Sequence, residues 1–239
     1  MKIKAFTLIE LMAVITLIAI LSGIVVAGIN DWKEDANFKK TIAYSNEVKT
    51  KLGKSLIAEW KMDVDLGNFS TLYDSGRLGI KGLTQGSVFD RSTDCPEGLA
   101  CIETSQSIIK FPNFQKFKTI CFWTKFNSSE GTIDVMSKGS DFKVFLFQGI
   151  VNFQIYNTSG VSQTFPFSGK KVNDNKWHHI CGTISNSSFY GVLDGDIMVT
   201  QTSPVQDLGW NTDSSLYVSP ESNSKFFMDD LTVFEDPLF

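Results

Sequence analysis

The chain has 239 residues, enough for a long helix and one domain with a sizeable core. Its net charge of −4 gives no basic footprint for a nucleic-acid partner. Two adjacent His residues and four scattered Cys show no zinc-ligand spacing.

The predicted elements begin at the N-terminus. Residues 11–29 carry no charge, a run about long enough to span a bilayer as a helix. Glu10 stands at its start, where an ionised side chain is costly unless it finds a partner. A secretory signal would have a shorter apolar core and a cleavage site after it. The string Ala5-Phe6-Thr7-Leu8-Ile9-Glu10 followed by an apolar helix resembles the signature of type IV pilins and pseudopilins. That resemblance implies cleavage between Ala5 and Phe6 by a prepilin peptidase and N-methylation of Phe6. Lys2 and Lys4 lie on the cytoplasmic side expected of cationic residues. It also implies assembly through Phe6, Thr7 and Glu10, with the Glu10 carboxylate pairing with a neighbour's Phe6 amine in the filament core. Most family members have Gly where this chain has Ala5.

From residue 30 to 54 the sequence turns amphipathic, with Phe38, Ile42, Val48, Leu52 and Leu56 on an imperfect stripe. Gly23 and Gly28 interrupt the apolar half and serve either a bend or close helix packing. Downstream, residues 118–126, 132–137, 142–148, 150–156, 177–184, 189–193 and 226–234 read as short strands, and Asp194-Gly195 as a two-residue hairpin turn. The 20 Phe and 5 Trp suit strands, and the count points to a β-sandwich. The predicted fold class is α+β: a long N-terminal helix, then an antiparallel sandwich. The expected divisions are a leader at 1–5, a helix at 6–55 with 6–29 in the membrane or filament core, and the sandwich at 56–239.

The segments Ile57-Ala58-Glu59-Trp60, Tyr73-Asp74-Ser75-Gly76, Ile120-Cys121-Phe122-Trp123, Trp177-His178-His179-Ile180, Val192-Leu193-Asp194-Gly195 and Met228-Asp229-Asp230-Leu231 resemble, in order and spacing, the laminin-G-like or concanavalin-like jelly roll. That resemblance implies a glycan or protein ligand and a structural calcium on Asp63, Asp74 and Asp229; read from the residues alone, these acids form turns or cap a strand. Glycosidases of the fold carry a Glu-x-Asp-x-x-Glu string, absent here, so no enzyme is expected. Asp229 and Asp230, being adjacent on a strand, are expected on opposite faces. Likewise one of His178 and His179 is expected inside and the other in solvent. Trp210 reads as a sugar-stacking platform or as loop packing.

Four Cys in an exported domain imply two disulfides. Cys95 and Cys101 bracket a short turn-rich loop, and Cys121 and Cys181 lie on segments that neighbour each other in the resembled fold. The resemblances together imply a major or minor pilin of a type IV pilus carrying a lectin-like adhesive sandwich. Its partners would be other pilin subunits, the peptidase and an inner-membrane assembly platform. It would pass from the inner membrane to an extracellular filament on the bacterial surface. A type II secretion pseudopilin and a membrane-anchored glycan-binding module share the same features.

Overall fold

The computed structural model describes residues 7–62, 70–85, 88–90, 94–96, 100–104, 108–114, 116–127, 131–157, 159–202, 214–218 and 226–239, as backbone alone at 24–31, 70–71, 85 and 88–90. Helix α1 runs Leu8–Leu52 and is followed by a single 3₁₀ turn, Gly53–Ser55. The chain divides into two compact units, with the boundary after Lys40.

In the first unit the start of α1 after Glu10 carries apolar side chains on every side up to Leu21. Large side chains from Leu8 to Leu21 are 46–78% exposed. Among the described residues no helix is long and apolar enough to cross a membrane. In the sequence the uncharged run continues to Ile29.

In the second unit the last turns of α1 join sixteen strands among the described residues. In chain order these are β1 (Leu56–Trp60), β2 (Ser70–Leu72), β3 (Gly82–Gln85), β4 (Val88–Asp90), β5 (Cys101–Thr104), β6 (Ile108–Phe111), β7 (Thr119–Phe126) and β8 (Thr132–Lys138). Then come β9 (Phe142–Phe147), β10 (Ile150–Tyr156), β11 (Ser162–Pro166), β12 (Trp177–Ser185), β13 (Ser188–Leu193), β14 (Asp196–Thr202), β15 (Leu216–Val218) and β16 (Phe226–Phe234).

They form two antiparallel sheets. The first has the order β14-β13-β12-β7-β16-β5-β4, and β1 also pairs with β16. The second has the order β11-β10-β9-β8-β15-β6-β3-β2. Between the sheets lies one apolar core containing Trp60, Phe111, Phe122, Phe142, Phe153 and Leu231. The Trp60 and Phe111 ring centroids are 4.2 Å apart, and the Trp60 indole N–H donates to the Ile80 carbonyl.

The middle of the first sheet is covered on its other face as well. There Val48 and Leu52 of α1 pack with Cys121, Cys181, Val192, Phe234 and Leu238. Both faces of β7 and β12 are therefore covered, which is why their sequences lack a clean polar alternation.

Candidate functional site

Thr7 precedes α1 and Glu10 lies in its first turn. The Thr7 backbone N–H donates to Glu10 Oε2 at 2.9 Å, and the Thr7 hydroxyl donates to the same oxygen at 2.7 Å. The Glu10 N–H returns a 3.3 Å bond to Thr7 Oγ1. This is a capping box, which satisfies donors that the helix geometry orphans. It turns the carboxylate back toward the chain start, where a carboxylate also suits the helix dipole. Ala5 and Phe6, the expected cleavage pair, lie outside the described residues.

A second constellation sits where α1 crosses the first sheet. Between Asp229 and Thr232 the pairing of β16 with β7 shifts register, and Asp230 adopts φ 43°. This bulge is also where the edge of β16 passes from β5 to β1. It overturns the opposite-faces expectation for the two acids. Asp229 is in register with Trp123, whose ring lies 5.0 Å from His179, itself beside Tyr44 of α1. Asp230 Oδ2 meets Lys49 Nζ of α1 at 2.7 Å. Both acids thus serve the helix side. Glu59 joins the same ion pair at 3.4 Å from Lys49. Burial, with Glu47 nearby, raises the pKa of the Tyr44 phenol, so it stays neutral here.

The expected calcium ligands do not converge among the described residues. Asp74 Oδ1 accepts the N–H groups of Glu59 and Gly76, and Oδ2 that of Ile80, so the side chain shapes a turn. That turn lies along one edge of β1, and β16 with Asp229 lies along the other. Asp63 lies outside the described residues. Asp229 Oδ1 accepts the Asp230 N–H.

The sulfurs of Cys121 and Cys181 and a nitrogen of His179 lie within 4.8 Å of one another, a possible metal-binding group. The two Cys are, however, bridged to each other across paired strands, and Cys95 is bridged to Cys101. A disulfide sulfur is not the thiolate that a metal needs. Trp210 falls outside the described residues.

The adjacent His residues differ from expectation, since both are buried. His179 faces α1. His178 holds Asp194 Oδ2 at 2.8 Å through Nδ1 and Asp174 Oδ1 at 3.0 Å through Nε2. Burial alone would lower its pKa, but the two carboxylates outweigh that and raise it. Asp194 begins the β13–β14 turn, where both Asp194 and Gly195 have positive φ. Lys170 pairs with Asp194 as well. Burial would raise the Asp194 carboxyl, but His178 and Lys170 hold it below its ordinary value. No motif singled out this cluster, because Asp194 meets His178 only through the pairing of β12 with β13.

Residues 103–239 match the concanavalin A-like lectin/glucanases superfamily. The chain belongs to that superfamily. Ahead of this lectin-like fold, residues 1–26 match the prokaryotic N-terminal methylation motif, the type IV pilin signature. Among solved structures, the binding domain of Paraclostridial Mosquitocidal Protein 1 superposes with a TM-score of 0.66 at 15% identity, over 79% of this chain and 50% of that one. The botulinum neurotoxin serotype D binding domain gives 0.62 at 13% identity, over 78% of this chain and 50% of its own. The serotype D ligand binding domain in complex with N-acetylneuraminic acid gives 0.63 at 12%, over 80% and 50%. The match therefore spans about half the length of these neighbours, and the likeness is one of fold. No curated protein matches the chain.

Proposed function

We propose that this chain is a type IV pilin-like subunit, major or minor, that displays its lectin-like sandwich on a surface filament for adhesion. The observation that carries the reading is the apolar surface of α1 between Leu8 and Leu21, whose large side chains stay 46–78% exposed among the described residues. A helix hydrophobic all round is stable only when buried, in a bilayer or among other helices. The methylation motif at residues 1–26 supports both in sequence: membrane first, filament core after processing.

The same residues supply the mechanism. In the isolated chain the Glu10 carboxylate accepts from Thr7. In a filament, the freed amine of Phe6 from a neighbour would compensate that charge among apolar helices, where a lone charge is costly. The far end of α1 is built into the sandwich through Val48, Leu52 and the Lys49–Asp230 pair, so a subunit that packs by its helix carries its binding domain with it. The neighbour crystallised with N-acetylneuraminic acid supports a glycan as the class of ligand.

Gold-labelled antibody against the sandwich tests the assignment. Wild-type cells are expected to show labelled surface filaments. Glu10→Ala is expected to leave the protein in the membrane and strip label from the filaments. Unlabelled filaments in wild type, or full label in the variant, would contradict the reading.

A further inference from the structure

Charge is divided unequally between the two sheets. The strands of the first contain Glu59, Asp90, Glu103, Asp196, Asp229 and Asp230. Those of the second contain one carboxylate, Asp134. Strand pairing shows which side chains share the outward face of the second sheet, because paired residues point the same way. Lys110 pairs with Tyr217, Tyr217 with Ser137, Ser137 with Lys143, and Lys143 with Gln154. The span from Lys110 to Lys143 is three strand spacings, roughly 14 Å. Beside this row Phe145 pairs with both Asp134 and Asn152.

Lysine stands over an aromatic ring three times here. Lys110 Nζ lies 5.9 Å from the Tyr217 ring centre, and Lys143 Nζ lies 6.0 Å from that of Phe145. Toward the β2–β3 edge, Lys81 Nζ lies 5.4 Å from that of Tyr73. On a chain of net charge −4, this face is basic and aromatic.

We propose that the outward face of the second sheet binds an anionic glycan, along the row from Lys110 through Tyr217, Ser137 and Lys143 to Gln154. The inference rests on the reading of the sandwich as a displayed binding module and gives its ligand a class. The lysines attract the acid groups, and the Tyr217 and Phe145 rings offer flat apolar surface to pyranose C–H faces. Ser137 and Gln154 supply a hydroxyl and an amide group, the latter also bonded to Ser162 and Tyr156. Asp134 distinguishes a glycan from nucleic acid. It binds Lys143 at 2.6 Å through Oδ2, while Oδ1 is buried and accepts no hydrogen bond from a described residue. Lys143 turning to a ligand acid opens Asp134 to a sugar hydroxyl, whereas a phosphate chain would meet only repulsion there.

The test uses the full chain in detergent micelles and four probes: dextran sulfate, polygalacturonate, neutral dextran and double-stranded DNA. Dextran sulfate and polygalacturonate together ask whether sulfate and carboxylate serve alike. Both are expected to bind and to weaken as salt rises, and neutral dextran to bind weakly or not at all. Lys110→Glu with Tyr217→Ala is expected to weaken binding roughly tenfold or more. Lys110→Arg retains it, and Lys171→Glu, outside this face, leaves it unchanged. All three positions tolerate change, since Lys110 and Lys171 are exposed and Tyr217 is only half-buried. Neutral dextran bound as tightly as dextran sulfate, DNA bound more tightly than either anionic glycan, or a double variant that binds normally would each overturn the proposal. So would a chain whose mass in sedimentation changes with Lys110→Glu while glycan binding does not, since the face would then join two copies. Failure of filament assembly with glycan binding intact would sink the pilin reading and leave this site standing.

Discussion

At the scale of single residues, burial and hydrogen bonds decide roles that spacing leaves open. The Asp74 carboxylate accepts three backbone N–H groups. Asp74→Ala orphans those donors, so we expect it to destabilise the sandwich by about 1–3 kcal/mol. Denaturant melts of wild type and variant should show the same loss in calcium and in chelator; a loss confined to calcium would restore the ligand role. His178 gives a pH signature. Its pKa is raised by folding, so its contribution is complete below the unfolded value near 6.5 and fades as pH rises through the folded one. Asp194, lowered by folding, contributes fully above the unfolded value near 3.9 and less as pH falls through the folded one. Both contributions are present between about pH 4 and 6.5. Stability of the wild type should therefore decline above that window, and His178→Gln should flatten the decline. A variant with the same alkaline slope would show that other groups titrate there.

At the scale of elements, α1 is held to the sheet by an ion pair with little access to water. The Lys49 side chain is a quarter exposed and that of Asp230 almost fully buried. Removing Lys49 strands a buried carboxylate, so Lys49→Met should cost about 3–5 kcal/mol. Adding Asp230→Asn should recover much of it, because the stranded charge is gone; an additive double variant in chemical melts would argue that the two do not interact. The strands that hold this seam were also the legible ones. Residues 118–126, 177–184 and 226–234 are long and aromatic, and the Asp194-Gly195 turn carries its own signature. By contrast β2 to β6 and β15 are three or four residues each, too short for any period to register in the sequence. The bulge at Asp230 was invisible for a related reason. A strand pattern assumes unbroken alternation, and nothing in Asp229-Asp230-Leu231 announces the extra residue. Burial of both His178 and His179 escaped as well, because the sheet's outer side is roofed by a helix more than a hundred residues earlier in the chain.

At the scale of the whole molecule, two patterns of burial point to one way of working. The sandwich is closed: its core is aromatic, one outer face is roofed by α1, and its Cys are bridged. The start of α1 is the reverse, an apolar surface that stays exposed among the described residues. We propose that this surface is completed by a bilayer or by the helices of other subunits. The methylation motif was legible because its chemistry is local, five residues and a following helix. The ligand face was not, because it exists only once β6, β15, β8, β9 and β10 lie side by side. We infer that this chain is processed and polymerised as a pilin. Mass spectrometry of the chain from filaments sheared off cells tests it most directly. The mature N-terminus is expected at Phe6, carrying one added methyl group. A chain that still begins at Met1, or is cut beyond the apolar run, would contradict it.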